Sequence, residues 1–219
     1  MQSRSRLPEA DALEHYRIAL ENVLLQPEIA SEMAELGYGP ETIAAGKTLL
    51  DNTRQAYGHN QTEDNETSAA YEDFLQKKEG LAKTYRTHRK KAKVVFRKTP
   101  LTADRLGITA PIPKSHSKCM ENYRKFYIEA SADTATQTKL ATIKVTADDI
   151  AAGITAINEI ETARATYLRE KGESQQATKA KDQAFSELDD WMTDFFAVAR
   201  IALEEKPQLL EALSETVPS

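Results

Sequence analysis

The chain has 219 residues, 40% hydrophobic and 29% charged, with a net charge of −5 and a single cysteine. This is the composition of a soluble globular chain with long solvated helices, and its acidic balance argues against a generic polyanion binder. One cysteine excludes an intramolecular disulfide and a cysteine-rich metal centre. No apolar run approaches the roughly 18 residues that span a bilayer, and the first residues lack the apolar stretch of a secretory leader, so the expected location is the cytoplasm, with no membrane partner.

In chain order, Leu7-Pro-Glu-Ala-Asp11 opens a helix, because proline and acidic residues suit a first turn. Leu13, Tyr16, Leu20, Val23 and Leu24 then recur at helical spacing to about Leu25. Pro27 starts a short second helix that Gly37 stops, and Pro40 starts a third with Ile43, Gly46, Leu50, Thr53 and Tyr57 on one face. The polar stretch from Gly58 to Thr67 reads as helix ends around a turn, and its Asn60-Gln-Thr62 and Asn65-Glu-Thr67 triplets mark a polar surface loop. A long fourth helix follows to about Arg97, with Tyr71, Phe74, Lys78, Leu81, Tyr85, His88, Ala92 and Val95 on a coiled-coil-like seam. Pro100 ends it, and residues 109–118, with Pro111 and Pro113, form a linker.

The same plan then repeats. A helix from about Cys119 to Ala132 carries Tyr123, Phe126 and Tyr127; Thr146-Ala-Asp-Asp149 caps a helix with Ile150, Gly153, Ile154, Ile157, Ile160 and Leu168 inward. A loop at Lys171–Ser174 precedes the last long helix, where Phe185, Leu188, Met192, Phe195, Ala199 and Ala202 share a seam. Pro40-Glu-Thr-Ile-Ala-Ala-Gly46 reappears as Ala147-Asp-Asp-Ile-Ala-Ala-Gly153, 107 positions on. At that offset Tyr16 meets Tyr123, Leu81 meets Leu188 and Pro100 meets Pro207, with no gap. The expectation is an all-α bundle of two pseudo-repeats, about 14–108 and 121–215. Four long helices and shorter flanking ones would form one compact domain over 1–219. The small residues Ala45, Gly46, Ala152 and Gly153 read as a tight helix crossing.

Chemistry is sparse. A di-iron bundle needs Glu-x-x-His pairs, but Ala12, Ala56, Tyr85 and Pro113 stand three residues before the four histidines. There is no His-Glu-x-x-His motif, no phosphate-binding glycine loop and no sequence context that activates Cys119. His88 on its seam reads as a core histidine bonded to a neighbour, since its counterpart is Phe195. The expectation is therefore no enzyme, no cofactor and no metal.

Charge separates the two halves. Residues 80–98 carry Lys83, Arg86, Arg89, Lys90, Lys91, Lys93, Arg97 and Lys98 and no acid, whereas the matched stretch 187–205 carries Glu187, Asp189, Asp190, Asp194, Glu204 and Glu205 against one Arg200. The basic stripe binds nucleic-acid phosphates, or it meets the acidic helix within one molecule or between copies, or both faces are simply solvated. Nucleic acid is disfavoured because no aromatic or glycine-rich recognition motif accompanies the stripe. Trp191-Met-Thr-Asp-Phe-Phe196 is the densest aromatic cluster, a core stripe or a partner patch.

The two Ile-Ala-Ala-Gly elements, with Trp191-Met-Thr-Asp-Phe-Phe196 and Ala199-Arg-Ile-Ala-Leu-Glu-Glu-Lys-Pro207-Gln-Leu-Leu-Glu, resemble a family of uncharacterised bacterial helical proteins with an internal duplication. That resemblance implies an all-helical fold and no known activity. The functional expectation is a structural or protein-interaction protein that self-associates through charge-complementary helices. The alternatives are nucleic-acid binding through 83–98, or a small-molecule or cofactor pocket lined by Tyr85, His88, Trp191 and Phe195.

Overall fold

The computed structural model describes residues 7–214, and these are all-helical, with no strand among them. Residues 1–6, read above for a leader, and residue 215, the stated end of the second half, lie outside the described residues. The helices are α1 (Glu9–Leu25), α2 (Pro27–Glu35), α3 (Pro40–Val95), α4 (Pro100–Arg105), α5 (His116–Ala132), α6 (Thr134–Ala141) and α7 (Ala147–Ala202). A 3₁₀ helix spans Pro207–Leu213. No helix among the described residues is long and apolar enough to cross a membrane.

Helix starts follow local chemistry. Proline leads α2, α3 and α4, where a missing N–H costs nothing. The α7 start is a reciprocal box: Thr146 Oγ1 accepts from the Asp149 N–H at 3.1 Å, and the Asp149 carboxylate accepts from the Thr146 N–H at 2.8 Å. Asp133 caps α6 by accepting from the Ala135 N–H at 3.1 Å.

The turns expected at Gly58–Thr67 and Lys171–Ser174 do not exist. Two helices of 56 residues each, α3 and α7, replace the four long helices read from sequence. No proline lies between Pro40 and Pro100 or between Pro113 and Pro207, and an isolated glycine costs a helix only about 1 kcal/mol. The polar residues are used along the helix instead. Asn60 is buried, not on a surface loop, and donates to Thr178 Oγ1 at 3.1 Å; Ser174 donates to Asp64 at 2.7 Å.

The chain packs as two compact units, Met1–Asp64 with Glu173–Ser219, and Asn65–Gly172. Neither coincides with a sequence half: each takes one segment of α3 and one of α7. In the first unit Leu13, Tyr16, Leu20 and Val23 of α1 pack with Ile29 and Met33 of α2, Ile43 and Leu50 of α3, and Phe185, Leu188, Met192 and Phe195 of α7. In the second, Phe74, Leu81, Tyr85 and Ala92 of α3 pack with Tyr123, Phe126 and Tyr127 of α5, Leu140 of α6, and Ile150, Ile157 and Ile160 of α7.

The expected seams hold at most positions and fail at their ends. Tyr71 is 44% and Leu168 51% exposed, so neither is core. Phe96 and Leu203 are buried where Val95 and Ala202 were expected. Phe96 and Leu203 still bond their N–H groups to the carbonyls of Ala92 and Ala199, so they continue the buried face four residues on from those two alanines.

Candidate functional site

The basic stretch of α3 divides into two kinds of residue. Arg89 and Lys91 are half-buried structural ties: Arg89 Nη2 donates to the carbonyls of Ile108, at 3.0 Å, and Ala110, and Lys91 Nζ donates to the Lys144 carbonyl at 2.8 Å. Arg89 is thereby removed from the candidate interaction surface, because its guanidinium holds the chain after α4. Lys83, Arg86, Lys90, Lys93, Arg97 and Lys98 are exposed. None of the six has an ion-pair partner among the described residues.

The matched acidic stretch of α7 divides likewise. Asp190 and Asp194 are exposed, with Glu187, Glu204 and Glu205. Asp189 is half-buried and accepts from the Tyr16 hydroxyl at 2.9 Å, so it serves the core of its unit rather than a docking face. Burial, then the Asp189 charge, raises the Tyr16 hydroxyl above the ordinary tyrosine range. The basic stretch lies in the second unit and the acidic one in the first.

In each Ile-Ala-Ala-Gly element it is the glycine that meets another helix, and what it meets is an aromatic ring. Ala45 and Ala152 are exposed; only Gly46 and Gly153 are buried. A methyl on Gly46 would fall within 3.0 Å of the Trp191 indole, and one on Gly153 within 3.0 Å of the Tyr127 ring. A close-approaching aromatic face excludes any Cβ. Trp191 is half-buried, stacks on Phe195 at 5.6 Å between centroids, and meets Tyr38 edge-on at 5.7 Å. It belongs to the core of the first unit rather than to a partner patch.

The four residues expected to line a pocket, Tyr85, His88, Trp191 and Phe195, divide between the two units. Tyr85 and His88 belong to the second unit, Trp191 and Phe195 to the first. His88 itself sits as expected of a core histidine. It is 7% exposed, and its Nδ1 lies 3.1 Å from the hydroxyl of buried Tyr127. Burial pushes the imidazole below its ordinary value, against the pull of the Asp149 carboxylate and with the push of Lys91. Asp149 is held below the usual carboxylate range first by the Thr146 N–H and then by its hydroxyl.

A cavity of about 310 Å³ opens beside these groups, lined by Thr84, His88, Asp149 and Gly153, with Lys77 and Glu159 of opposite charge at its edge. It presents an imidazole held below its ordinary value beside a fixed carboxylate, two groups able to hydrogen-bond a small polar molecule. Tyr127 and Asp149 were not singled out as site residues from sequence. The box Thr146-x-x-Asp149 signalled a helix start, but nothing along the chain places it near His88. Cys119 is half-buried, and its thiol donates to the Pro113 carbonyl at 2.7 Å.

Comparison with protein families, with curated proteins and with solved structures gives no match to this chain.

Proposed function

We propose that the chain is two copies of one helical unit and that it acts as a non-enzymatic, cytoplasmic interaction protein. Copies associate by setting the basic face of one molecule's second unit against the acidic face of another's first unit. Equal helix lengths support the duplication: 17 residues for both α1 and α5, 56 for both α3 and α7. The long helices begin 107 positions apart, at Pro40 and Ala147. The association rests on one observation. Lys83, Arg97 and Lys98 stand at the positions matched by Asp190, Glu204 and Glu205, and all six side chains are exposed. Two faces of one plan with opposite charge complement each other head to tail, a heterologous contact.

Such an association is screened by salt over a Debye length of about 10 Å at 0.1 M. Light scattering should show a mass above the monomer at low ionic strength and a monomer at high. Reversing Lys90, Lys93 and Arg97 to glutamate should abolish it, as should reversing Asp190, Asp194 and Glu204 to lysine. Mixing the two variants should restore it as a mixed complex. A monomer at every salt and protein concentration would remove the reading, and salt-sensitive retention of RNA or DNA by the unmodified chain would replace it with the nucleic-acid alternative.

A further inference from the structure

The two units differ most instructively around a matched pair of tyrosines. In the first unit, Tyr16 of α1 donates to the Asp189 carboxylate on α7 at 2.9 Å. The residue 107 positions before Asp189 is Ala82, and the tyrosine matched to Tyr16 is Tyr123 on α5. At the position that gives Tyr16 its carboxylate partner, the second unit therefore has only the methyl group of Ala82, which lines the same cleft as Tyr123. The Tyr123 hydroxyl has the Cys119 thiol and the Arg86 guanidinium as neighbours instead.

The surroundings have gained positive charge along with that exchange. Phe185 is matched by Lys78, Thr193 by Arg86 and Leu7 by Lys114. These three cations, with Ala82 and Tyr123, line a cleft of about 430 Å³ whose apolar side includes Ile112 and Met120; Glu79 is its one acid. None of the three cations has an ion-pair partner among the described residues. His116, also in the lining, is held below the ordinary histidine range by burial first and then by Arg164 and Lys78.

We infer that this cleft binds a small organic carboxylate. The ligand's charged end takes the place that the Asp189 side chain fills in the first unit, and its apolar body lies against Ile112 and Met120. A volume in this range suits a ligand of one or two fused rings. Tyr123 donates to the carboxylate, and Lys78 and Arg86 supply the charge. The inference uses the correspondence of positions 107 apart and is independent of self-association.

The test is a titration of the full chain with 2-naphthoate, followed by amide NMR shifts, with 2-naphthamide as the neutral isostere. Saturable shifts are expected at residues 78–86 and 112–123, with the amide weaker by about tenfold, the worth of a hydrogen bond to a charged group. Tyr123→Phe and Lys78→Gln should each weaken naphthoate several-fold. Ala82→Asp, which supplies the carboxylate from the chain itself, should abolish binding. No saturable shift at millimolar probe, equal binding of acid and amide, or binding undiminished in a folded Ala82→Asp chain would each overturn the inference. Lys78→Gln changes a partly exposed side chain, so it keeps the test decisive if Ala82→Asp does not fold. The readout is local to the cleft, so its failure leaves the salt-dependent association standing.

Discussion

The Trp191 indole lies directly over the Cα of Gly46, so close that a methyl group there would fall within 3.0 Å of three of its ring atoms. Gly46→Ala should therefore force the ring out of its stack with Phe195 and cost about 1–3 kcal/mol. Gly153→Ala should do the same through the Tyr127 ring. Urea unfolding checks both, and Ala45→Ser and Ala152→Ser, at exposed neighbouring positions, should stay within about 0.5 kcal/mol of the parent.

The continuity of α3 and α7 makes the opposite prediction for two other glycines. Gly58 and Gly172 sit inside the 56-residue helices, and nothing lies within 4 Å of a Cβ built on either. Replacing each with alanine should stabilise the chain by about 0.5–1 kcal/mol, because glycine loses more backbone freedom on entering a helix. A fall in melting temperature for the double variant would restore the turns that the polar sequence suggested.

Stability should depend on pH through His88. Its folded-state value lies below the ordinary 6.5, so between the two values the unfolded chain binds more protons than the folded one. Its contribution is fully present above pH 6.5 and is lost as pH falls toward the folded-state value. Tyr127, Asp149 and Lys91 act on it directly, and Lys77, Thr84 and Glu159 line the same cavity. His88→Phe should flatten the slope of unfolding free energy between about pH 7.5 and 5.5. His116, shifted in the same direction, should supply what slope remains. Identical slopes for parent and variant would refute the assignment.

The matched tyrosines should respond unequally to loss of their hydroxyls. Tyr16→Phe removes a hydrogen bond to a charged acceptor and should cost about 1.5–3 kcal/mol. Tyr123→Phe removes no bond to a carboxylate, and the loss should be less than half as large. Equal losses in denaturant titrations would show that the Asp189 contact adds nothing.

Residues alone determined that the chain is helical, where α2, α3 and α7 begin and which faces are largely apolar. Period-3.6 patterning, prolines at Pro27, Pro40 and Pro100, and the box at Thr146 are local signals that need no knowledge of the partner surface. They also marked His88 as a core histidine bonded to a neighbour, which its contact with Tyr127 bears out. Local signals misled where polar residues had a distant use. Asn60 and Ser174 looked like loop residues until Thr178 and Asp64 supplied their partners. The roles of Arg89, Asp189 and Trp191 were equally hidden, since each is fixed by a contact far along the chain: a carbonyl after α4, the Tyr16 hydroxyl and the bare face of Gly46. Tertiary structure decided which charges are free to meet a partner and which are tied to the backbone. It also decided that the two Ile-Ala-Ala-Gly elements seat aromatic rings, because the space a side chain fills depends on what the other helix brings to it.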